Sequence, residues 1–254
     1  MLDKVGKYEF LAEPFHCDFS KRLFLGHLGN HLLNAADFHS TERGFGMTYL
    51  NPIHKTWVLS RLAIEMKEMP PQYSKFCVET WVEGVMRYFT DRNFKVCDAK
   101  DGNRVYGYGR SIWALIDTDT RQPQNILDIR DGGIIDYIEK EKSCPIGRLS
   151  RVPVGKNADL ASSFEAKYSD IDVNGHVNSV KYIEHVLDLF DISEYKERRI
   201  ARFDVAYVAE SHYGDTLLFY VDKQDGDGYC VRVMKKLPSE ETETEVCRCR
   251  VVFT

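Results

Sequence analysis

The spacing of apolar residues in the second half of the chain changes from strand-like to helix-like and back. In "SFEAKYSD" apolar and polar positions alternate, which predicts a half-buried strand from Phe164 to Tyr168. A helix is predicted next, because apolar residues recur at helical spacing at Val180, Ile183, Leu187 and Phe190. Four segments then predict a meander of strands: "IARFDVAYV", "DTLLFYVDKQ", "YCVRVMKKL" and "TEVCRCRVVF". The segment Asp225–Gly228 predicts a turn between the second and third of them.

The first half of the chain offers the same order of elements. There "HCDFS" precedes a helical stripe formed by Leu25, Leu28, Leu32 and Ala35. Four segments then predict strands: "WVLSRLAIEMK", "KFCVETWVEG", "FKVCDAK" and "RVYGYGRSIWALI", with the turn "DGN" between the last two. Single residues also match loosely, since His31 follows a glycine much as His176 does. Glu68 then follows His31 at about the distance at which Glu210 follows His176.

This repetition predicts an α+β protein with two tandem units, each a long helix wrapped by an antiparallel sheet. We predict an N-terminal domain at residues 1–135 and a C-terminal domain at residues 161–254. The segment between them, residues 136–160, is charged, contains two prolines and has no clean period, which is typical of a linker.

Composition narrows the classes of partner and compartment. The 254 residues carry 39 acidic and 34 basic side chains, a net charge of -5, so the bulk charge favours neither nucleic acid nor an anionic membrane surface. Seven cysteines without paired spacing predict a reducing compartment rather than a disulfide framework. Neither a signal peptide nor a segment of about 18 apolar residues is evident. We therefore expect a cytoplasmic protein, and a homodimer is an open alternative.

The stretch "DIDVNGHVN", from Asp170 to Asn178, concentrates the candidate chemistry. Its first residues fit the opening of a calcium loop, which places oxygen ligands at alternate positions and a glycine at the turn. The match fails at the twelfth position, where a bidentate carboxylate is needed and the chain has the cation Lys181. We therefore predict no metal and no cofactor.

A site that holds a water molecule fits the same residues better. Asn178 is a suitable helix cap, and Asp172, Asn174 and His176 precede it at alternate positions that face the same way in an extended stretch. Glu210, at the end of a strand-like segment, supplies a carboxylate that desolvation would make a better base. Without further information, an Asp-x-Asn-x-His run is more often a hydrogen-bonded turn and cap.

Two segments in the second half of the chain resemble the motifs of a known family. "SDIDVNGHVNSVKYIEHVLD" resembles the signature of the acyl-acyl carrier protein thioesterases, and "YVAES", with the glycine, aspartate and leucine that follow, resembles their second motif. The first half is also similar, with weaker motifs, in "FGMTYLNPIHKTWVLSRLAIEM" and "VETWVEGVMRYFTDRNFKV". The resemblance implies two fused hotdog domains and hydrolysis of a fatty acyl thioester on acyl carrier protein. It places the catalytic positions at Asp172, Asn174, His176 and Glu210.

The resemblance also sets the expected mechanism. Glu210, alone or with Asp172, would take a proton from water as the water attacks the thioester carbonyl, while Asn174 and His176 orient the reactants. Backbone N–H groups at the start of the helix would hold the oxyanion. Ser211 stands where plant members have cysteine, so a cysteine-nucleophile mechanism is excluded. Asn178 and Ser211 are predicted to line the substrate site.

Other features have two interpretations each. The basic residues Lys196, Arg198, Arg199 and Arg202 form either a patch that docks the acidic carrier with its phosphopantetheine-linked acyl chain or a solvated face. Aromatic residues at Trp57, Trp81, Tyr88 and Phe89 form core or an acyl pocket. We expect His185 to be a satisfied polar-face residue and His212 a turn residue. Cys247 and Cys249 would share one face of a strand and pack there rather than bind zinc.

Three other functions stay open on the sequence alone. They are an acyl-CoA thioesterase, which would need contacts to the nucleotide end of its ligand, a non-catalytic acyl-binding hotdog module, and a dehydratase on the same fold. The presence of both Asp172 and Glu210 disfavours the non-catalytic module.

Overall fold

The computed structural model describes residues 2–155, 157–224, 226–237 and 242–254. The chain divides into two compact units, Met1–Leu149 (unit 1) and Ser150–Thr254 (unit 2). The boundary falls within the segment 136–160. Asp225, the first residue of one predicted turn, lies outside the described residues.

Unit 1 contains five strands and two α-helices. In chain order they are β1 (Gly6–Leu11), α1 (Leu25–Glu42), α2 (Met47–Leu50), β2 (Lys55–Met66), β3 (Lys75–Val85), β4 (Phe89–Asp98) and β5 (Val105–Asp117). The strands form an antiparallel sheet in the order β1-β3-β4-β5-β2. The long helix α1 packs against β3 and β1.

Helix α1 ends where the sequence offers a glycine. Gly44 has a φ of +80°, and the N–H of Phe45 donates to the carbonyl of Ser40 at 3.0 Å while the N–H of Gly44 donates to Thr41. This six-to-one bond closes the helix because glycine adopts the left-handed conformation without steric cost. The buried face of α1 carries Leu25, Leu28, Leu32, Ala35 and Ala36.

Residues 138–149 lie against the strands of unit 1. The N–H of Glu139 donates to the carbonyl of Val82, and Lys142 forms an ion pair with Glu79 and lies over the ring of Trp81. Further along, the carbonyl of Ile146 accepts from a buried arginine of β5. This part of the predicted linker is therefore packed on the sheet of unit 1.

Unit 2 repeats the arrangement with a shorter central helix. Its elements are β6 (Asp159–Glu165), α3 (Ser179–Leu187), α4 (Ile192–Glu197), β7 (Ile200–Tyr207), β8 (Thr216–Lys223), β9 (Gly228–Lys236) and β10 (Glu243–Phe253). The sheet order β6-β8-β9-β10-β7 matches that of unit 1 strand for strand. The internal repeat and the α+β class are therefore confirmed.

The core of unit 2 lies between α3 and the sheet. Helix α3 buries Val180, Tyr182, Ile183, Val186 and Leu187. The strands contribute Phe203, Leu217, Phe219, Val233, Val251 and Phe253, all at most 1% exposed. Cys247 and Cys249 are buried on the same face of β10, with their Sγ atoms 3.6 Å apart, as the alternation predicted.

Two predicted boundaries are wrong. The first strand of unit 2 ends at Glu165 rather than Tyr168, and a 3-10 turn, Tyr168–Asp170, follows. This turn forms because the carboxylate of Asp170 accepts from the N–H of Lys167 at 2.8 Å, a local bond that competes with strand pairing. Helix α3 ends at Leu187, so Phe190 lies beyond it and packs on Tyr229 and Phe253. In unit 1, "HCDFS" is a loop, and the strand β1, which precedes it, was not predicted.

All seven cysteines are free thiols. Among the described helices, none combines the length and apolar character that crossing a membrane requires.

Candidate active site

A tight turn from Asp172 to His176 precedes α3. The N–H of Asp172 donates to the carbonyl of His176 at 2.8 Å, and the N–H of Gly175 returns to the carbonyl of Asp172 at 3.0 Å. Gly175 has a φ of +81°, the left-handed conformation in which glycine avoids the strain of a side chain. These two bonds close the turn between Asp172 and His176.

The carboxylate of Asp172 organises this turn from inside. Its Oδ1 accepts from the N–H of Asn174 at 2.8 Å and from the N–H of His176 at 3.3 Å. Aspartate is favoured in turns because its short side chain bonds to the backbone two residues ahead. Asp172 therefore fixes the position of the His176 backbone.

The turn is held at both ends. The N–H of Val177 donates to the carbonyl of Ser211, and the N–H of Asn178 donates to the carbonyl of Asp170, both at 2.8 Å. The Oδ1 of Asn178 accepts from the N–H of Val180 at 2.9 Å, so Asn178 is the predicted N-cap. Its Oδ1 is therefore used as the helix cap, and the predicted contact with substrate would use the Nδ2 donor.

His176 and Glu210 come together from different segments. The Nε2 of His176 lies 3.3 Å from the Oε2 of Glu210, and their side chains are 25% and 35% exposed. The ring of His212 meets that of His176 edge to face, with centroids 5.0 Å apart. A half-exposed histidine in contact with a carboxylate is suited to proton transfer with bound water. The structure thus brings two of the predicted site residues into contact.

A buried aspartate and a partly buried lysine fix the segment that carries Glu210. Lys235 donates to the carbonyl of Glu210 at 2.7 Å and lies 3.8 Å from the carboxylate of Asp215. Asp215 is buried and accepts from the N–H of His212 at 2.9 Å. Lys235 was not predicted, because a lysine in a strand has no distinguishing spacing, whereas Asp215 is the aspartate of the second family motif.

A second histidine–carboxylate pair joins α3 to the residue that begins the motif. The Nε2 of His185 on α3 is 3.0 Å from the Oδ1 of Asp170, which is 4% exposed, and the imidazole packs against the ring of Phe164 at a tilt of 33°. Asp170 also accepts from Lys167 and, through its carbonyl, from Asn178. The expectation that His185 is a satisfied histidine is confirmed, and its partner is the residue that begins the motif.

Ser211 is not placed as a nucleophile. Its hydroxyl is buried and lies beside that of Tyr182, and neither hydroxyl forms a hydrogen bond of normal geometry with a described residue. Burial raises the pKa of Tyr182 well above its ordinary value, an effect that the Ser211 hydroxyl partly opposes. Without a base in contact with it, Ser211 has no means of losing its proton.

Asn174, another predicted catalytic residue, lies at the tip of the turn outside the His176–Glu210 pair. It is exposed at the tip of the turn, and its N–H bonds to Asp172. Its side chain forms no hydrogen bond with any residue that the structure describes, so it is available to a bound molecule.

Backbone donors at the start of α3 are nearly all used. From Asn174 to Lys181, each N–H has an acceptor within the described residues except that of Ser179. The first residue of a helix has no partner one turn back, so its N–H is free to bind a negative group. In this stretch of the described residues, the N–H of Ser179 is therefore the backbone donor left for the predicted oxyanion contact.

The predicted carrier patch is largely paired within the chain. Arg198 forms ion pairs with Glu194 and Asp227 and lies over the ring of Phe253, and Arg202 binds Asp204 through two nitrogens. Lys196 and Arg199 are exposed. The patch offers less positive charge than its sequence indicates.

No cluster of three His, Cys, Asp or Glu side chains in the described ranges is arranged to hold a metal ion. Of the predicted aromatic pocket, Trp81 is fully buried core, whereas Trp57 lines a cavity of about 200 Å³ within unit 1.

The fold and the site together define a protein of two tandem hotdog units, the second of which carries a histidine–carboxylate pair at the start of its central helix. Two models of one protein family match the two halves of the chain. The family model described as "Acyl-ACP thioesterase N-terminal domain" matches residues 4–131, and that described as "Acyl-ACP thioesterase C-terminal domain" matches residues 155–252. The chain belongs to the acyl-ACP thioesterase family.

Three individual relatives are similar to this chain over most of its length. The structure of an acyl-ACP thioesterase from Bacteroides thetaiotaomicron is 53% identical, with a TM-score of 0.90 over 99% of this chain and 98% of that one. A 12:0-ACP thioesterase from Umbellularia californica, 22% identical with a TM-score of 0.83 over 100% of this chain and 98% of that one, shares the fold. The oleoyl-acyl carrier protein thioesterase 2 of Arabidopsis thaliana is 28% identical over 72% of this chain and 53% of its own length. The chain thus spans about half the length of the curated relatives it matches.

Proposed function

We propose that this protein hydrolyses the thioester of a fatty acyl group carried on acyl carrier protein, which releases free fatty acid and the carrier thiol. The observation that carries the proposal is the contact between His176 Nε2 and Glu210 Oε2 at 3.3 Å. It joins the two sequence motifs by which the chain resembles its family. A binding module would have no need of a half-exposed base beside an imidazole.

The acid–base roles follow from the contacts. Glu210 accepts the proton of a water molecule as its oxygen attacks the thioester carbonyl, and His176 orients that carboxylate and the water. Asp172 acts on the backbone, since one of its oxygens already accepts from two N–H groups. Glu210 is therefore our assignment for the base, and Asp172 holds His176 in place.

The remaining steps need little from the protein. The N–H of Ser179 and the exposed amide of Asn174 are the donors available for the oxyanion of the tetrahedral intermediate. When that intermediate collapses, the carbon–sulfur bond breaks and the carrier thiolate leaves. A thiol has a pKa near 8.5, so the thiolate leaves without a strong general acid.

The choice of carrier protein over coenzyme A rests on the family. Relatives are named as hydrolases of oleoyl, dodecanoyl and palmitoyl groups on acyl carrier protein. We place the reaction at the end of fatty acid synthesis in a reducing compartment such as the cytoplasm, for which the seven free thiols are support. Lys196 and Arg199 are the exposed residues of the proposed docking patch, and a homodimer is a further proposal.

The test is thiol release from acyl-carrier-protein thioesters of graded length and from the matching CoA esters. We expect preferential cleavage of the carrier esters by the wild type. Glu210→Gln and His176→Gln should each reduce kcat/KM at least a hundredfold, the usual scale of general acid–base catalysis. Binding of acyl carrier without hydrolysis by the wild type would instead identify a binding protein, and equal cleavage of CoA esters would remove the carrier preference.

A further inference from the structure

Two cysteines of unit 1 face each other across neighbouring strands. Cys77 on β3 lies opposite Cys97 on β4 in the antiparallel register. Residues directly opposite in such a sheet have Cα atoms about 4.5–5.5 Å apart, within the range of about 4.4–6.8 Å that a disulfide spans. The Sγ of Cys97 lies 3.8 Å from the carbonyl oxygen of Cys77, and the two thiols are in hydrogen-bonding contact. A disulfide between them therefore requires no large movement of the backbone.

The charges around this pair favour a thiolate. Glu79 is buried two residues after Cys77, on the same face of β3. Three ammonium groups surround its carboxylate, those of Lys142 at 2.6 Å, Lys7 at 3.8 Å and Lys95 at 3.9 Å. One carboxylate does not balance three cations, so the local charge is positive. The hydrogen bond from Cys77, together with the charges of Lys95 and Lys142, lowers the pKa of Cys97 to about 7.

The other cysteines lack this combination. Cys247 and Cys249 lie along one strand, where an extended backbone keeps their Cα atoms about 6.7 Å apart, near the upper limit for a disulfide. Both are fully buried, Cys230 is buried as well, and burial raises the pKa of Cys249. Cys17 and Cys144 are partly exposed, but each donates to a backbone carbonyl, and burial raises the pKa of each thiol.

We propose that Cys77 and Cys97 form a reversible disulfide when small anionic disulfides, such as oxidised glutathione, accumulate, and that free thiols reopen it. The positive charge around Glu79 favours the approach of an anionic reagent. In a reducing compartment an excess of free thiol keeps the pair reduced, so the cross-link responds to the thiol–disulfide balance. The site is separate from the His176–Glu210 pair, and the inference does not depend on the proposed function.

The two sulfurs have different roles because they differ in exposure. Cys77 is half-buried, whereas Cys97 is 1% exposed, so a reagent RSSR reaches Cys77 first. Cys77 passes its proton to the Cys97 thiolate and attacks one sulfur of RSSR, which forms a mixed disulfide and releases RS⁻. Cys97 then loses that proton, attacks the Cys77 sulfur and displaces the second RS⁻. Two protein thiols and one RSSR thus become one protein disulfide and two RSH, with the protein sulfurs oxidised and the reagent reduced.

The test is incubation of the folded wild type with oxidised glutathione, followed by alkylation of the remaining thiols and mass spectrometry of the peptides. We expect peptides linked through Cys77 and Cys97 to form at least about tenfold faster than glutathione adducts at Cys17 or Cys144. Excess reduced glutathione should restore both thiols. Adducts at Cys77 without the link, or a link that forms no faster than the adducts at Cys17 and Cys144, would overturn the proposal without any variant.

A second reagent tests the charge preference. Cystamine is a small cationic disulfide, and its rate, divided by its rate with 2-mercaptoethanol in solution, should be lower than that of oxidised glutathione treated in the same way. A higher rate with cystamine would overturn the preference for anions. Lys142→Gln should slow the link severalfold because it removes a charge beside Cys97. Lys100→Gln, at an exposed position after β4, is the matched control and should not.

Cysteine variants test the order of attack. Cys97→Ser should accumulate the glutathione adduct at Cys77, because no second sulfur displaces the glutathione. Cys77→Ser should leave Cys97 unmodified, because Cys97 is buried. Cys144→Ser is the matched control and should form the link as the wild type does. Modification of Cys97 in the Cys77→Ser protein at the wild-type rate would contradict the assigned order.

Discussion

In unit 1 the loop from Pro14 to Phe24, and in unit 2 the loop from Tyr168 to Asn178, follow one hydrogen-bonding pattern. The N–H of Asp18 donates to the carbonyl of Arg22 at 2.9 Å, as that of Asp172 donates to His176 at 2.8 Å. Each aspartate also accepts, through Oδ1 at 2.8 Å, from the N–H two residues ahead. Each loop starts with a 3-10 turn and leads into the central helix of its unit.

The two loops differ in the groups that would perform chemistry. Arg22 occupies the position of His176 and lies 3.5 Å from Glu68, which also pairs with Arg104 at 3.0 Å. Arginine stays protonated in proteins, so this pair can hold a charge but cannot exchange a proton. The backbone equivalence also places Met69, rather than Glu68, opposite Glu210.

The geometry of the loop and its proposed chemistry depend on different residues. The loop geometry depends on an aspartate, a residue with positive φ and the strand behind it, and both units possess these features. The proposed chemistry depends on His176 and Glu210, which only unit 2 possesses at these positions. A loop of this shape is therefore no evidence of activity by itself.

The largest effect should come from giving unit 2 the charge pair of unit 1. His176→Arg should reduce kcat/KM for acyl-carrier thioester at least a thousandfold, because the guanidinium would bind Glu210 and remove the base. The fold should persist, since unit 1 shows that this loop accepts arginine. Steady-state thiol release, with circular dichroism on the same samples, measures both.

The reverse change is the control. Arg22→His should leave kcat/KM within about threefold of wild type, because unit 1 has no carboxylate at the position of Glu210. A comparable loss of activity in both variants would show that the two loops contribute alike and would contradict the comparison.

Much of the fold could be predicted because its signals are local. Alternating strands and the stripe of α1 follow directly from side-chain spacing, and eight strands were located this way. β1 was missed because "GKYEFL" is short and lies at the edge of the sheet. The match of His31 with His176 is wrong by several positions, since loop bonding pairs His176 with Arg22 and aligns His31 with His185.

The site was only partly predictable. Asp172 and Asn178 act on their own loop, and residue type indicates such caps and turns. The contact of His176 with Glu210 joins segments distant in the chain, so no spacing rule gives its distance. The chemistry of the two side chains and the family resemblance placed them in one site, but neither gives the contact itself. The pair of Asp170 with His185 and the support from Lys235 depend on how strands and helix pack, which no local pattern records.

An intermediate effect concerns the aligned histidines His31 and His185. His185 bonds to buried Asp170, whereas His31 has His16 and His27 near it and Phe10 against its ring. Burial, with the two neighbouring histidines, lowers the pKa of His31 to about 4, against about 6.5 when unfolded. Between these values the unfolded chain binds the extra proton, so His31 reduces the free energy of unfolding as pH falls from 6.5 towards 4.

The variant His31→Gln lacks this titration. Between pH 7.5 and pH 4.5 its free energy of unfolding should therefore fall by about 1–2 kcal/mol less than that of the wild type, a value that allows for partial exposure of the ring. At pH 7.5 the same variant should be near wild type. His185→Gln should instead cost about 1–3 kcal/mol at pH 7.5, because it weakens the bond to a buried carboxylate. Urea unfolding at both pH values measures these differences, and identical pH slopes for wild type and His31→Gln would contradict the assignment.

The smallest effect tests the shared backbone alone. Gly175 and Lys21 occupy equivalent positions of the two turns, with φ of +81° and +59°. A side chain in this conformation costs about 1–2 kcal/mol, whereas glycine costs roughly 0.5–1 kcal/mol through the unfolded chain. Gly175→Ala should therefore lower the free energy of unfolding by about 1 kcal/mol, since a Cβ there meets no atom within 4 Å and only the backbone is affected. Lys21→Gly should raise it by roughly 0.5 kcal/mol. Changes of the same sign in urea unfolding would show that the two turns, despite their common hydrogen bonds, are not under the same strain.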